Sequence, residues 1–152
     1  MTIVTPELLT RYDVSGPRYT SYPTADRFVD AFGEQDYVLA LGQRRQSPVG
    51  KALPLSIYVH IPFCESLCYY CACNKIITKH HDRADVYLRY LQREIDLHTA
   101  HCGVGQMVSQ IHFGGGTPTF LSDAGLRDLM GMLRSSFTLV PGGEYSIEVD
   151  PR

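Results

Sequence analysis

From Leu55 to Asp150 the sequence switches repeatedly between strand-like and helix-like segments, and this alternation restricts the fold more than any other feature. Leu55–Ile61 is β-rich and mostly apolar, the pattern of a buried strand. Over residues 82–98 the apolar set Ala84, Tyr87, Leu88, Leu91 and Ile95 falls on one helical face, with Asp82 as the expected N-cap. Gln110–Phe113 is expected to be a short strand running into Gly114-Gly115-Gly116. Ser122 is placed to cap a helix whose face is Leu126, Leu129, Met130, Leu133 and Phe137. Pro141-Gly142-Gly143 reads as a turn, and residues 145–149 alternate as a third strand. The order is β-α-β-α-β, with connections of parallel-sheet length. Right-handed crossovers put the three strand C-termini on one rim, where α/β folds carry their sites. Cys64 and its neighbours, the glycine run and Glu148-Val149-Asp150 are the segments expected there.

Ahead of this alternation, residues 1–54 read as a separate leader. It holds a short helix after Pro6, a second helix from about Glu34 to Arg44, and a loop from Gln46 to Pro54. Between the helices lies Ser15-Gly-Pro-Arg-Tyr-Thr-Ser-Tyr-Pro-Thr24, whose prolines and glycine suit an extended arm. The expected division is therefore 1–54 for arm and leader helices and 55–152 for the alternating core. An intact α/β barrel takes roughly 200 residues or more. The chain has 152, so only the first part of such a barrel is expected.

Composition removes several function classes. The 14 Lys+Arg against 16 Asp+Glu give a net charge of −2, with no basic stripe of the kind nucleic acid selects. The most apolar stretch, Leu53–Phe63, carries Ser56, His60 and two prolines and is short of the ~20 residues that span a bilayer. Residues 1–12 lack the apolar run of a secretory signal. These features lead to the expectation of a soluble, cytoplasmic chain without nucleic-acid or membrane partners.

Five cysteines are present, and Cys64, Cys68, Cys71 and Cys73 fall within ten residues, while Cys102 stands apart with no motif neighbours. A tight cluster in a cytosolic chain indicates metal or redox chemistry rather than a disulfide framework. Cys64-x3-Cys68-x2-Cys71 offers three thiolates from one loop. That set suits three irons of a cubane cluster, leaving the fourth iron open to a small molecule. Cys73 is too near Cys71 to be an easy cubane corner. Structural zinc stays open as an alternative, although it more commonly uses paired Cys-x2-Cys units or adds a histidine. His80 and His81, in a polar loop, are expected to face solvent.

Cys64-x3-Cys68-x2-Cys71, with Tyr70 just before the last cysteine and the glycine run after strand two, resembles the radical S-adenosylmethionine superfamily. Within it the chain is similar to the oxygen-independent coproporphyrinogen III oxidase (coproporphyrinogen dehydrogenase) family. That likeness rests on the 15–24 arm, Tyr58-Val-His-Ile-Pro-Phe-Cys64, Cys71-Ala-Cys73-Asn-Lys, Gly114-Gly-Gly-Thr-Pro-Thr119 and Ser146-Ile-Glu-Val-Asp-Pro-Arg152. The fold it implies is α/β, the N-terminal part of a partial (β/α)6 TIM-like barrel preceded by a helical and extended arm. The chain would be an N-terminal fragment, inactive alone and monomeric at full length.

The resemblance also implies roles. Cys64, Cys68 and Cys71 would bind a 4Fe-4S cluster, and S-adenosylmethionine would chelate the open iron; one electron from an unidentified donor then yields methionine and a 5′-deoxyadenosyl radical. Tyr58, Gly115 and Glu148 would contact the first of two S-adenosylmethionine molecules. Tyr70, Gly116 and Thr117 would contact the second. Cys73 would be a site residue near the substrate or second cofactor. Arg18 would pair with a propionate carboxylate, for which a guanidinium is well shaped, and Tyr19 and Tyr22 would pack on a flat tetrapyrrole. The implied reaction decarboxylates two propionates of coproporphyrinogen III to vinyl groups in anaerobic haem synthesis, giving protoporphyrinogen IX. Two rivals are a haem-chaperone paralogue, which usually lacks both the arm and the fourth cysteine, and a non-enzymatic metal or electron-transfer module.

Overall fold

The computed structural model describes residues 4–13, 24–69, 71 and 73–150. Internal contacts divide the chain into two compact units, Met1–Tyr37 and Val38–Arg152. In the first unit, helix α1 (Pro6–Tyr12) starts with the Thr5 side chain accepting from Leu8 N and with proline in its first turn. A 3₁₀ turn follows at Ala25–Arg27. Helix α2 spans Glu34–Gln46, two residues past its expected end.

The loop expected over 46–54 contains a short helix instead, α3 (Pro48–Ala52). Ser47 caps it by accepting from Gly50 N, and Pro48 enters at a position where a missing N–H costs nothing. Gly50 is required there, because a Cβ would lie 2.5 Å from Arg44 O at the end of α2.

Strand β1 covers Leu55–Ile61, and a two-residue strand β2 (Phe63–Cys64) follows at once. β2 pairs in parallel with β3 (Ile76–Ile77), so the cysteine loop leaves and returns through one short ladder. Two further bonds fasten its base: Ile76 N donates to Pro62 O at 2.7 Å and Thr78 N to Cys64 O at 2.9 Å. Helix α4 runs Asp82–Cys102, longer than the segment expected. Its N-cap is His81, without a side-chain cap bond, so Asp82 is the first helical residue rather than the cap. Gly103, at φ 94°, ends it.

Strand β4 (Gln106–Gly115) also exceeds the expected segment and takes in two glycines of the run. After a 3₁₀ turn at Pro118–Phe120, helix α5 (Asp123–Ser136) begins as expected, with Ser122 Oγ accepting from Gly125 N. Phe137 does not extend the helical face; its extended backbone starts strand β5 (Phe137–Ile147) and pairs with Gln106. The expected turn at 141–143 lies within β5, where pairing jumps from Val108↔Leu139 to Gln110↔Glu144. Ser109 lies at that jump, and Gly142 there has φ 74°.

The sheet order is β1-β4-β5, all parallel and in sequence order with no reversal. Val59, Ile61, Ile111 and Phe113 from the sheet share one core with Leu88 and Ile95 of α4 and Leu129 and Leu133 of α5. Both crossover helices therefore cover the same sheet face, the arrangement of a singly wound barrel wall rather than a doubly wound sheet. β1 accordingly alternates: Ser56 and Tyr58 are exposed while Val59 and Ile61 are buried, so it is not buried on both faces as its composition suggested. Among the described residues, no helix is long and apolar enough to cross a membrane.

Candidate functional site

The C-terminal ends of β1, β4 and β5 meet on one rim, joined by backbone hydrogen bonds. Gly116 N donates to Ile61 O at 2.8 Å, Thr117 N to Phe63 O at 2.8 Å, and Glu148 N to Phe113 O at 2.9 Å. The expected gathering of Cys64, the glycine run and Glu148 is therefore present.

Cys64 is buried on β2, and its sulfur accepts from Thr117 Oγ1 at 3.5 Å. Cys68 and Cys73 are exposed on the loop and Cys71 is half-buried. A hydrogen bond from the Cys73 backbone holds the Cys71 thiol below its usual range, and Lys75 adds to this. Burial pushes the Cys73 thiol up, helped by the charge of Cys71. All five cysteines are thiols, and Cys102 is buried in the last turn of α4. Among the described residues, no three His, Cys, Asp or Glu side chains converge into a group that could hold a metal. The loop thus supplies the three thiols from one anchored segment without bringing them together.

The glycine run is shaped by this chain's own side chains. A Cβ on Gly114 would lie 3.0 Å from the Tyr58 ring and 3.1 Å from both Glu148 Oε1 and His112 Nε2. On Gly115, at φ 112°, it would lie 2.7 Å from His60 Cε1; on Gly116 it would lie 2.9 Å from Cys64 Sγ. The missing side chains let the rim close on itself, a requirement prior to any ligand.

Behind the rim, the sheet face away from the helices is polar. The register sets Ser56 beside Gln110 and Glu144, and Tyr58 beside His112 and Ser146, with His60 beside Gly114. Gln110 Nε2 donates to Glu144 Oε2 at 2.9 Å. Tyr58 Oη is 3.0 Å from His60 Nδ1, and His60 Nε2 is 2.8 Å from Asn74 O on the cysteine loop. Desolvation raises the Tyr58 phenol above its usual range, and the charges of Glu148 and Cys73 add to the shift. Glu148 accepts from Gly115 N at 3.3 Å and contacts His112 Nε2 at 3.1 Å.

His60, His112 and Ser146 were not singled out from sequence. Counting back by twos from Gly114 and Glu148 would have found the latter two, because alternate strand residues share a face. His81, expected to face solvent, keeps an exposed edge but stacks on Phe120 at 4.2 Å. Its Nε2 lies 3.0 Å from Glu65 Oε1 and its Nδ1 3.1 Å from Phe120 O, joining the cysteine loop to the start of α4. Glu65, Ser66, Thr117, Thr119, Phe120 and Asp150 line a cleft of about 360 Å³ at the rim. Arg18 and Tyr70 lie outside the described residues, as do Tyr19 and Tyr22.

A buried thiol, a glycine-built turn and a carboxylate on the C-terminal rim of a singly wound parallel sheet define the opening part of an α/β barrel-type fold. No family model matches the chain. A coproporphyrinogen III oxidase from Escherichia coli, described as a radical SAM enzyme, superimposes on all of the chain with TM-score 0.81 at 46% identity. The chain covers 32% of that structure. Oxygen-independent coproporphyrinogen III oxidases from Pseudomonas aeruginosa and Mannheimia haemolytica are 53% and 46% identical over 96% and 95% of the chain. The chain covers 31% of the first relative and 94% of the second. It belongs to the oxygen-independent coproporphyrinogen III oxidase family. It spans about a third of the length of most of the relatives it matches, including 30% of the one from Escherichia coli.

Proposed function

We propose that this chain contributes the cofactor-binding rim of an enzyme that decarboxylates two propionates of coproporphyrinogen III to vinyl groups without dioxygen, forming protoporphyrinogen IX. The observation that carries this is the hydrogen-bonded meeting of Cys64, Gly115–Thr117 and Glu148 on one rim. The donor set suits an iron–sulfur cluster: Cys64, Cys68 and Cys71 are three soft thiols supplied by one loop whose base is anchored by the β2–β3 ladder. Cys64, Cys68 and Cys71 would hold a 4Fe-4S cluster. When bound, the cluster and S-adenosylmethionine supply the one-electron chemistry that removes hydrogen from a propionate side chain.

The chain's own residues hold and orient. Thr117 donates to the Cys64 sulfur, and Gly116 leaves space for that sulfur. Glu148, Gly115 and Tyr58 would take one S-adenosylmethionine. Gly116, Thr117 and Tyr70 would take a second. Cys73 lies near Tyr58 and Glu148, close enough for their charges to act on one another, which suits a role beside substrate or second cofactor. Arg18 would hold a propionate, with residues 1–54 as the arm and 55–152 as part of the barrel core. The protein would act in the cytoplasm as a monomer supplied by an electron donor.

The test is anaerobic turnover by the intact protein, reconstituted with iron and sulfide and given S-adenosylmethionine, a reductant and coproporphyrinogen III. Protoporphyrinogen IX and carbon dioxide are the expected products. Haem binding without decarboxylation would support the chaperone reading instead.

A further inference from the structure

The cofactor reading leaves His112 without a role, although it is among the most closely bonded side chains on the polar face. It lies on β4 between Tyr58 of β1 and Ser146 of β5. Its ring stacks on Tyr58 with centroids 5.8 Å apart and planes 19° apart. Nδ1 is 2.8 Å from Ser146 Oγ, and Nε2 is 3.1 Å from Glu148 Oε1. Ionised carboxylate oxygens only accept, so the bond to Glu148 requires a proton on Nε2. In the neutral ring Nδ1 is then the acceptor, and the Ser146 hydroxyl donates to it. Stack, hydroxyl and carboxylate hold the ring at three points.

The other Glu148 oxygen has one longer bond, from Gly115 N at 3.3 Å. Among the described residues, that is the hydrogen bond that would remain without His112 to restrain a side chain that is 54% exposed. We propose that His112 is a positioning residue that fixes the Glu148 carboxylate, in line with the Gly115 amide, to accept N–H or O–H donors of S-adenosylmethionine. Ser146 sets the tautomer that makes this possible. The inference rests on the reading of Glu148 as a cofactor contact.

Two substitutions separate the halves of the ring. An asparagine amide nitrogen reaches the place of Nδ1, and a glutamine amide nitrogen reaches that of Nε2. S-adenosylmethionine affinity is measured by equilibrium binding to the reconstituted intact protein. His112→Gln should stay within about threefold of wild type, while His112→Asn should weaken binding about tenfold, as loss of a bond to a charged acceptor does. Glu148→Gln should weaken binding at least as much, and adding His112→Asn to it should cost little more. Equal affinities for the Gln and Asn variants would overturn the proposal. Weakened binding in Glu148→Gln with none in His112→Asn would overturn it while leaving Glu148 as a contact. Unchanged affinity in Glu148→Gln would remove the contact and the proposal together. If His112→Asn fails to fold, nitrogen NMR of the wild-type ring decides: a protonated Nε2 is expected, and an unprotonated Nε2 overturns the assignment.

Discussion

Gly115 combines two constraints at a single residue. Its φ of 112° is a conformation that L side chains rarely adopt, and a Cβ would press on His60 at 2.7 Å and on Ile61 O at 2.9 Å. Gly115→Ala should therefore destabilise the protein by about 1–3 kcal/mol or more, read from urea melts. Thr117 offers a gentler probe. Its hydroxyl donates to the Cys64 sulfur, and hydrogen bonds to ligand sulfurs help set iron–sulfur potentials. Thr117→Val should leave the iron content intact and lower the cluster's midpoint potential, while Thr117→Ser keeps the wild-type value; potentiometric titration followed by electron paramagnetic resonance would show this. Of these residue-level features, the glycines and Thr117 could be singled out from sequence. Their contacts with His60 and Cys64 could not, because those depend on strand pairing between segments about fifty residues apart.

Helix α4 ties the core to the rim through Tyr87. The Tyr87 hydroxyl donates to His60 O, and its ring meets Phe63 edge-on at 5.6 Å. Tyr87→Phe keeps the ring contact and loses the bond, so a loss of about 1 kcal/mol is expected in thermal or denaturant melts. Burial raises the Tyr87 phenol above its usual range, so the folded state holds that proton more tightly than the unfolded chain. The resulting stabilisation is complete below the ordinary phenol pKa of about 10 and is lost as pH rises through the folded value. The Phe variant should lack that alkaline step. At the start of α5, Ser122→Ala removes the bond from Gly125 N and should cost about 1 kcal/mol. This helix was legible because its cap and apolar spacing are both local. The segments misread were those set by less conspicuous or distant partners. α3 depends on a Ser-Pro start, easily taken for loop chemistry, and Phe137 leaves the helical face to pair with Gln106. The β2–β3 ladder was also missed, being only two residues on each side.

Across the molecule, the order of elements and the rim were legible from the alternation of segments, since short parallel connections admit few arrangements. Which sheet face stays polar was less so. Ser109 lies where β4 shifts register, so a simple count by twos along the whole strand fails, and the facing of Gln110 and His112 follows only from pairing with β1 and β5. The cysteine loop was the reverse case. Its spacing was plain, while the structure anchors its base and, among the described residues, does not gather three of its thiols into one group. We propose that Cys64, Cys68 and Cys71 hold an iron–sulfur cluster. That proposal is tested most directly by iron and sulfide analysis, with visible absorbance, of the anaerobically reconstituted intact protein carrying single alanine substitutions at the four clustered cysteines. Cys64→Ala, Cys68→Ala and Cys71→Ala are each expected to lose the 4Fe-4S complement, while Cys73→Ala keeps it. A full complement in the Cys68 variant, loss in the Cys73 variant, or zinc in place of iron would contradict the proposal.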